Sequence, residues 1–189
     1  MKKSVKFTIA IISVIIIIGL IFVSIQTQEQ EKIEEYRISL AAQACSLNNR
    51  TNAIIDQIEG MSSFEWYMEY VEEQGRSKEE ALDTFSNACL NALSEKQGID
   101  SIEPVEFSGE DASLVSAYEH YSNMYEAYNN FYSLIENPYL PAKDYINEVY
   151  AKAQEITDLY NLIQDCYGTS NLEEYAVKDD LYYLYYIEK

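Results

Sequence analysis

The chain of 189 residues has almost no histidine; His120 stands alone. A di-iron bundle with two Glu-x-x-His motifs, a zinc helix of the His-Glu-x-x-His kind and any multi-histidine zinc site are therefore excluded. Ser-His-Asp chemistry would have to be built on this one imidazole, and no Gly-x-Ser-x-Gly elbow presents a serine. His120 follows Glu119 and precedes the apolar-stripe position Tyr121, which suits a partly exposed side chain. Glycine is scarce as well. Gly19, Gly60, Gly75, Gly98, Gly109 and Gly168 stand far apart, so neither a phosphate-cradling loop nor a dinucleotide fingerprint can be assembled.

Three prolines and three cysteines complete the scarce residues. Cys45, Cys89 and Cys166 are an odd count, so at most one internal pair can form and one thiol is left over. Cys45 and Cys89 sit on or beside apolar stripes but at different heights of an up-and-down arrangement. They read as buried free thiols, because free cysteine behaves as a small hydrophobe.

What the chain does have is one long uncharged run. From Phe7 to Ile25, nineteen residues pass without a charge, preceded by Lys2, Lys3 and Lys6 and followed by Glu29, Glu31, Glu34 and Glu35. At ~1.5 Å rise per residue such a helix crosses a ~30 Å hydrocarbon layer, and inside that layer a helix satisfies its own backbone amides. Basic flanks stay on the cytoplasmic side, so the bulk of the chain is expected outside. A cleaved secretion signal would have a shorter apolar core and small residues at the cut, whereas bulky Phe22 lies three residues before the best cut, after Ser24. The expectation is an uncleaved single-pass anchor in the plasma membrane, with residues 1–6 as a basic cytoplasmic tail and 7–25 in the bilayer.

All 32 acidic residues lie beyond the run, with only ten of the 13 basic ones, which leaves the outer part at a formal −22. Such a surface repels phosphate backbones and anionic headgroups, which argues against nucleic acid and against lying flat on a membrane. No cofactor is expected.

Helical periodicity holds almost throughout. Ile33, Tyr36, Leu40, Ala44, Leu47, Thr51, Ile54, Ile58 and Met61 advance by threes and fours over four heptads, like one seam of a coiled coil. With no breaker before it, this segment is expected to continue the membrane helix outward as a stalk, ended by Gly60 and Ser62-Ser63. A short helix with Phe64, Tyr67, Met68 and Val71 follows, capped by Ser63 and closed by Gly75. Ser77 with Glu80 makes a capping box for a helix lined by Ala81, Leu82, Phe85, Ala88, Cys89, Ala92 and Leu93. Residues 26–97 thus read as stalk and first helical hairpin. Residues 98–111, with Pro104 and five acids, read as a linker. The acids Asp100, Glu103, Glu106, Glu110 and Asp111 lack the alternating spacing of a calcium loop.

A second hairpin is expected over 112–168. Its first helix carries Leu114, Tyr118, Tyr121, Tyr125, Tyr128, Tyr132 and Ile135 and stops at Asn137-Pro138. Its second opens at Pro141, carries Ile146, Val149, Ala153, Ile156, Tyr160, Ile163 and Tyr167, and ends at Gly168. Residues 169–189 read as a last helix or tail from Leu172, with Asn171 and Glu174 as its cap, running into Leu181, Leu184 and Ile187. The fold class expected is all-α: a transmembrane helix continuing into an up-and-down bundle of four to five amphipathic helices.

Tyrosine is the other excess, eighteen in all. Tyr118, Tyr121, Tyr125, Tyr128 and Tyr132 recur at helical spacing, which serves a bundle core or an aromatic wall that receives a partner. They are the candidate partner-binding residues. The triplet Asn49-Arg50-Thr51 matches a glycosylation acceptor but lies within a helical stripe.

Three short likenesses exist. Lys6-Phe7-Thr8-Ile9 resembles the leader of type IV pilin-like proteins, though the glycine before the Phe is missing and Ile11 stands where a glutamate is expected. Tyr175 with Asp179 is similar to the Tyr-x-x-x-Asp tail signal of small helical-hairpin secretion substrates, without their Trp-x-Gly turn, since Tyr67 and Met68 follow Trp66. The general outline resembles extracytoplasmic helical sensor modules of receptors. With every tested catalytic pattern missing, the function expected is non-enzymatic: a protein-interaction or scaffold component of an envelope or secretion assembly, partnered by another protein or membrane-complex subunit. A ligand-binding or sensor bundle working with a membrane partner is the alternative.

Overall fold

A computed structural model of the chain describes residues 2–60, 64–95, 105–107 and 109–179; of residues 2–25, 65, 66 and 92–95 it describes the backbone helix alone. The described residues are helical with no strand: α1 (Lys2–Gly60), α2 (Phe64–Glu73), α3 (Lys78–Glu95), α4 (Ala112–Glu136), α5 (Ala142–Tyr167) and α6 (Glu173–Ala176). The chain divides into two compact units, Met1–Arg37 and Ile38–Lys189. The all-α expectation holds, and the second unit is a helical bundle. Among the described residues no helix is long and apolar enough to cross a membrane. The run at residues 7–25 lies within the backbone of α1, and its side chains are outside the described residues.

In the first unit, among the described side chains, those from Gln26 to Lys32 and Glu34 and Glu35 are exposed, while Ile33, Tyr36 and Arg37 are half-buried. That suits a solvated helical segment with four glutamates.

The second unit is framed by the antiparallel pair α4 and α5, the two helices in most extensive contact. The ends of these helices are fixed by local chemistry. Asp111 Oδ1 accepts from the backbone N–H of Ser113 and Leu114, at 3.0 and 3.3 Å, and so caps α4. Gly168 at φ 62° closes α5 in the left-handed conformation, its N–H donating to Asp165 O. Pro141 stands one position earlier than expected, as N-cap, and α5 begins at Ala142.

The second half of α1 runs antiparallel to α5. Cys45 lies against Tyr160, 3.5 Å from sulfur to oxygen, while Glu59 faces Tyr150 at the other end. Every stripe position from Leu40 to Ile58 is buried as expected. So are Ala41, Ala42, Cys45, Ser46 and Ala53, which the stripe does not contain. This part of α1 is therefore a central helix of the bundle rather than a stalk with one dry seam: its small side chains let neighbours approach on several sides. Thr51, also buried, turns its hydroxyl onto Leu47 O at 2.9 Å, so the Asn49-Arg50-Thr51 triplet is part of the packing.

Helices α2 and α3 form the short hairpin expected around Gly75, which has φ 75°. The capping box is present in half, with the Glu80 N–H donating to Ser77 Oγ at 3.2 Å. Edge-on rings knit this hairpin to the start of α5. Phe64 meets Phe85 at 5.0 Å, Phe85 meets Tyr145 at 6.4 Å, and Tyr145 meets Tyr139 at 5.6 Å, with interplanar angles of 69°, 86° and 81°. Ser86 adds a hydroxyl donated to Ile135 O, tying α3 to the end of α4.

The expected C-terminal helix differs. Residues 173–176 form one turn, with Leu172 and Ala176 buried. Asn171 Oδ1 accepts from Glu173 N–H at 3.1 Å, so the cap serves a turn packed by two apolar side chains. Leu181, Leu184 and Ile187 lie outside the described residues, as do Ser63 and most of the 98–111 linker.

Candidate functional site

The five tyrosines of α4 do not act together. At ~100° per residue, Tyr121 and Tyr128 fall on the face shared with Leu114, Ala117, Met124, Phe131 and Ile135. They are buried, at 0% and 4% exposure. Tyr118, Tyr125 and Tyr132 recur every seven residues along the border of that face and are half-buried. Tyr132 touches Tyr128 ring to ring at 6.4 Å. The alternation of steps of four and three made one stripe of what is a core row and a bordering ridge.

On the opposite border of the α4 core face the structure forms a concavity that the sequence reading did not single out. A groove of about 650 Å³ runs along the outside of the α4–α5 hairpin. Its apolar lining is Ala127 on α4 with Ala151, Leu159 and Leu162 on α5. Ala127 is buried and Leu162 is 43% exposed. The same lining carries carboxylates, Glu126, Glu155 and Asp158, and the amides of Asn123, Asn130 and Gln154. Gln154 Nε2 donates to Asp158 at 2.8 Å, and Lys152 Nζ lies 2.9 Å from Glu155, both on the exposed surface. The exposed Tyr150, at 39%, continues the α5 ridge through Gln154 and Asp158 to Leu162 in steps of four. The sequence signal for this groove was weak but present: two large apolar side chains at positions between the α5 core residues.

The three cysteines are free, with Cys45 and Cys89 buried and Cys166 half-buried. Burial pushes the Cys45 thiol up to about 12, with the Tyr160 hydroxyl pulling the other way and the Glu173 carboxylate adding to the rise. Burial alone takes Cys89 to about 12. Both are inert thiols at neutral pH. Tyr145, 0% exposed, has a phenol raised above its ordinary range by burial first and then by neighbouring Cys89 and Tyr139. Tyr139 itself is raised to about 12, chiefly because its hydroxyl donates to Glu148 at 2.6 Å.

Among the described residues no group of three or more histidine, cysteine or carboxylate side chains is placed to hold a metal ion. His120 is half-buried, as its position suggested. Tyr175 is engaged within the bundle, edge-on to Tyr167 at 5.1 Å and with Lys178 Nζ 4.6 Å over its ring.

Compared with protein families, with curated proteins and with solved structures, the chain matches none.

Proposed function

We propose that this protein is a membrane-anchored, acidic helical bundle that acts without catalysis, as a protein-interaction or scaffold component of an envelope or secretion assembly. The anchor is the uncharged Phe7–Ile25 run, flanked by lysines before and glutamates after, and the bundle from Ile38 onward stands on the extracytoplasmic side of the plasma membrane. The observation that carries the interaction reading is the outer groove of the α4–α5 hairpin, a concave strip that mixes exposed apolar side chains with carboxylates beside a closed core. The half-exposed ridge of Tyr118, Tyr125 and Tyr132 supports the same reading, since tyrosine supplies contact area at little entropic cost.

The test uses the full chain in intact cells. A photo-reactive phenylalanine analogue replaces Leu162, Tyr150, Tyr70 or Val177 in turn, all of them exposed. A discrete adduct from at least one position, carried by the membrane fraction, is the expected result. No adduct from any of the four ends the interaction reading. Protease added outside the cells is expected to remove the bundle; an untouched chain overturns the topology.

A further inference from the structure

From its shape and charge, we infer that the α4–α5 groove receives one helix of a protein partner, a basic amphipathic helix lying along the hairpin. This deepens the interaction reading above and rests on it. Three features of the groove select that occupant.

The first is length and form. Tyr150, Gln154, Asp158 and Leu162 make a straight i, i+4 ridge on α5, and the thirteen residues from Tyr150 to Leu162 span ~18 Å, about three helical turns. A ridge of this kind beside a second helix leaves a furrow that accepts the side-chain ridge of a third. The lining residues all lie within α4 and α5, whose backbone groups pair inside the helices, so an added strand would find no ladder to join.

The second is the apolar part of the lining. Ala127 and Ala151 are small, so a helix can come close over them, and Leu159 and Leu162 offer an apolar surface further along the groove. An apolar face of leucine-like side chains fits this strip, while a fully polar peptide would leave it wet.

The third is charge. Glu126, Glu155 and Asp158 line the groove, and among the described residues the cation beside them is Lys152, already within 2.9 Å of Glu155. The whole chain carries a formal −19, so its field draws lysine and arginine side chains toward this strip. A second copy of the chain would bring carboxylates against carboxylates and is disfavoured for the same reason.

The measurement is fluorescence anisotropy with the full chain in detergent micelles. The probe is a labelled peptide of about twelve leucines and lysines with the leucines on one helical face, ~18 Å long. A peptide of the same composition, shuffled to have no apolar face, is the control. Glu126→Lys with Asp158→Lys is compared with Glu69→Lys and Asp83→Lys, an equal charge change on the exposed surfaces of α2 and α3. All four sites are exposed, and circular dichroism confirms that each variant keeps its helix content.

The groove pair is expected to weaken peptide binding by about tenfold or more and the distant pair by about threefold or less, the signature of a located rather than a diffuse charge effect. The shuffled peptide is expected to bind about tenfold more weakly than the amphipathic one. Equal weakening by the two pairs, equal binding of the shuffled peptide, or sedimentation showing self-association that Leu162→Lys abolishes would each overturn the proposal. Failure here with crosslinks retained at Leu162 removes only the basic-helix partner; loss of all crosslinks removes the interaction reading beneath it.

Discussion

The second half of α1 and the middle of α5 run in opposite directions, Cys45 lying by Tyr160 and Glu59 facing Tyr150, yet the two helices meet their surroundings differently. Between Leu40 and Leu47, α1 buries seven of eight consecutive residues, Gln43 being the exception. Helix α5 buries Val149, Ala153, Ile156 and Ile163 and leaves Tyr150, Gln154, Asp158 and Leu162 to solvent. The difference comes from side-chain size. Alanine, serine and cysteine fill α1 where α5 has glutamate, glutamine and lysine, so neighbours can close around α1 while α5 keeps a wet face. One helix is a structural spine, and the other divides its circumference between core and groove.

The largest contrast is expected from truncation. Leu47→Ala removes a side chain at 0% exposure and is expected to cost about 2–5 kcal/mol, from lost burial plus the cavity left behind. Leu162→Ala on the groove face is expected to stay within about 0.5 kcal/mol. Urea unfolding followed by helical circular dichroism reads both. Similar losses at the two sites would mean that α5 is as enclosed as α1.

Overpacking asks the same question in reverse. Ala42→Leu inserts volume at a fully buried position and is expected to cost about 1–3 kcal/mol. Ala151→Leu, on the exposed side of α5, is expected to be neutral in the same assay and to narrow the groove.

Alkaline pH separates the two helices through Cys45. Its pKa is about 12 in the folded chain against 9.0 for a free thiol, and Cys89 behaves alike. Above pH 9 the unfolded thiols lose their protons while the folded ones keep them, so the unfolded state binds fewer protons and stability falls as pH rises. The slope is ~1.4 kcal/mol per pH unit for each thiol, present between about pH 9 and 12 and absent below pH 9. A melting temperature that drops through this window, with a shallower drop in Cys45→Ala, is the expected result. Cys166, half-buried near the end of α5, is expected to react with iodoacetamide well before the other two.

Much of this division was legible in the sequence and some was not. The stripe Leu40, Ala44, Leu47, Thr51, Ile54 and Ile58 was readable because apolar side chains recur with the helical period, and all six are buried. Ala41, Ala42 and Ser46 were not, because a small residue suits a crowded interior and an exposed helix surface equally well. Helix ends at Gly75, Asp111, Asn137 and Gly168 followed from local chemistry that needs no tertiary partner. The tyrosines of α4 misled because tyrosine fits either side of the core boundary. Periodicity placed them on one helix, while packing against neighbours buried Tyr121 and Tyr128 and left the other three at the border. The groove depends on two helices at once, so only Tyr150 and Leu162, apolar where α5 faces solvent, hinted at it.

The smallest expected contrast lies between the two C-terminal glycines of the helices compared. Gly60 ends α1 and Gly168 follows α5, and a methyl group added at either would meet nothing within 4 Å. Space is therefore not the difference between them. Gly168 sits at φ 62°, where a Cβ crowds the following carbonyl, and Gly60 does not occupy the left-handed region. Gly168→Ala is expected to cost ~1 kcal/mol and lower the melting temperature by roughly 2–4 °C. Gly60→Ala is expected to be neutral or to stabilise by up to ~1 kcal/mol, because alanine gives up less backbone freedom in a helix. Equal losses at both glycines would mean that the end of α1 is under a constraint beyond its own backbone, and the contrast between an enclosed spine and an open-faced helix would then have to include how each one terminates.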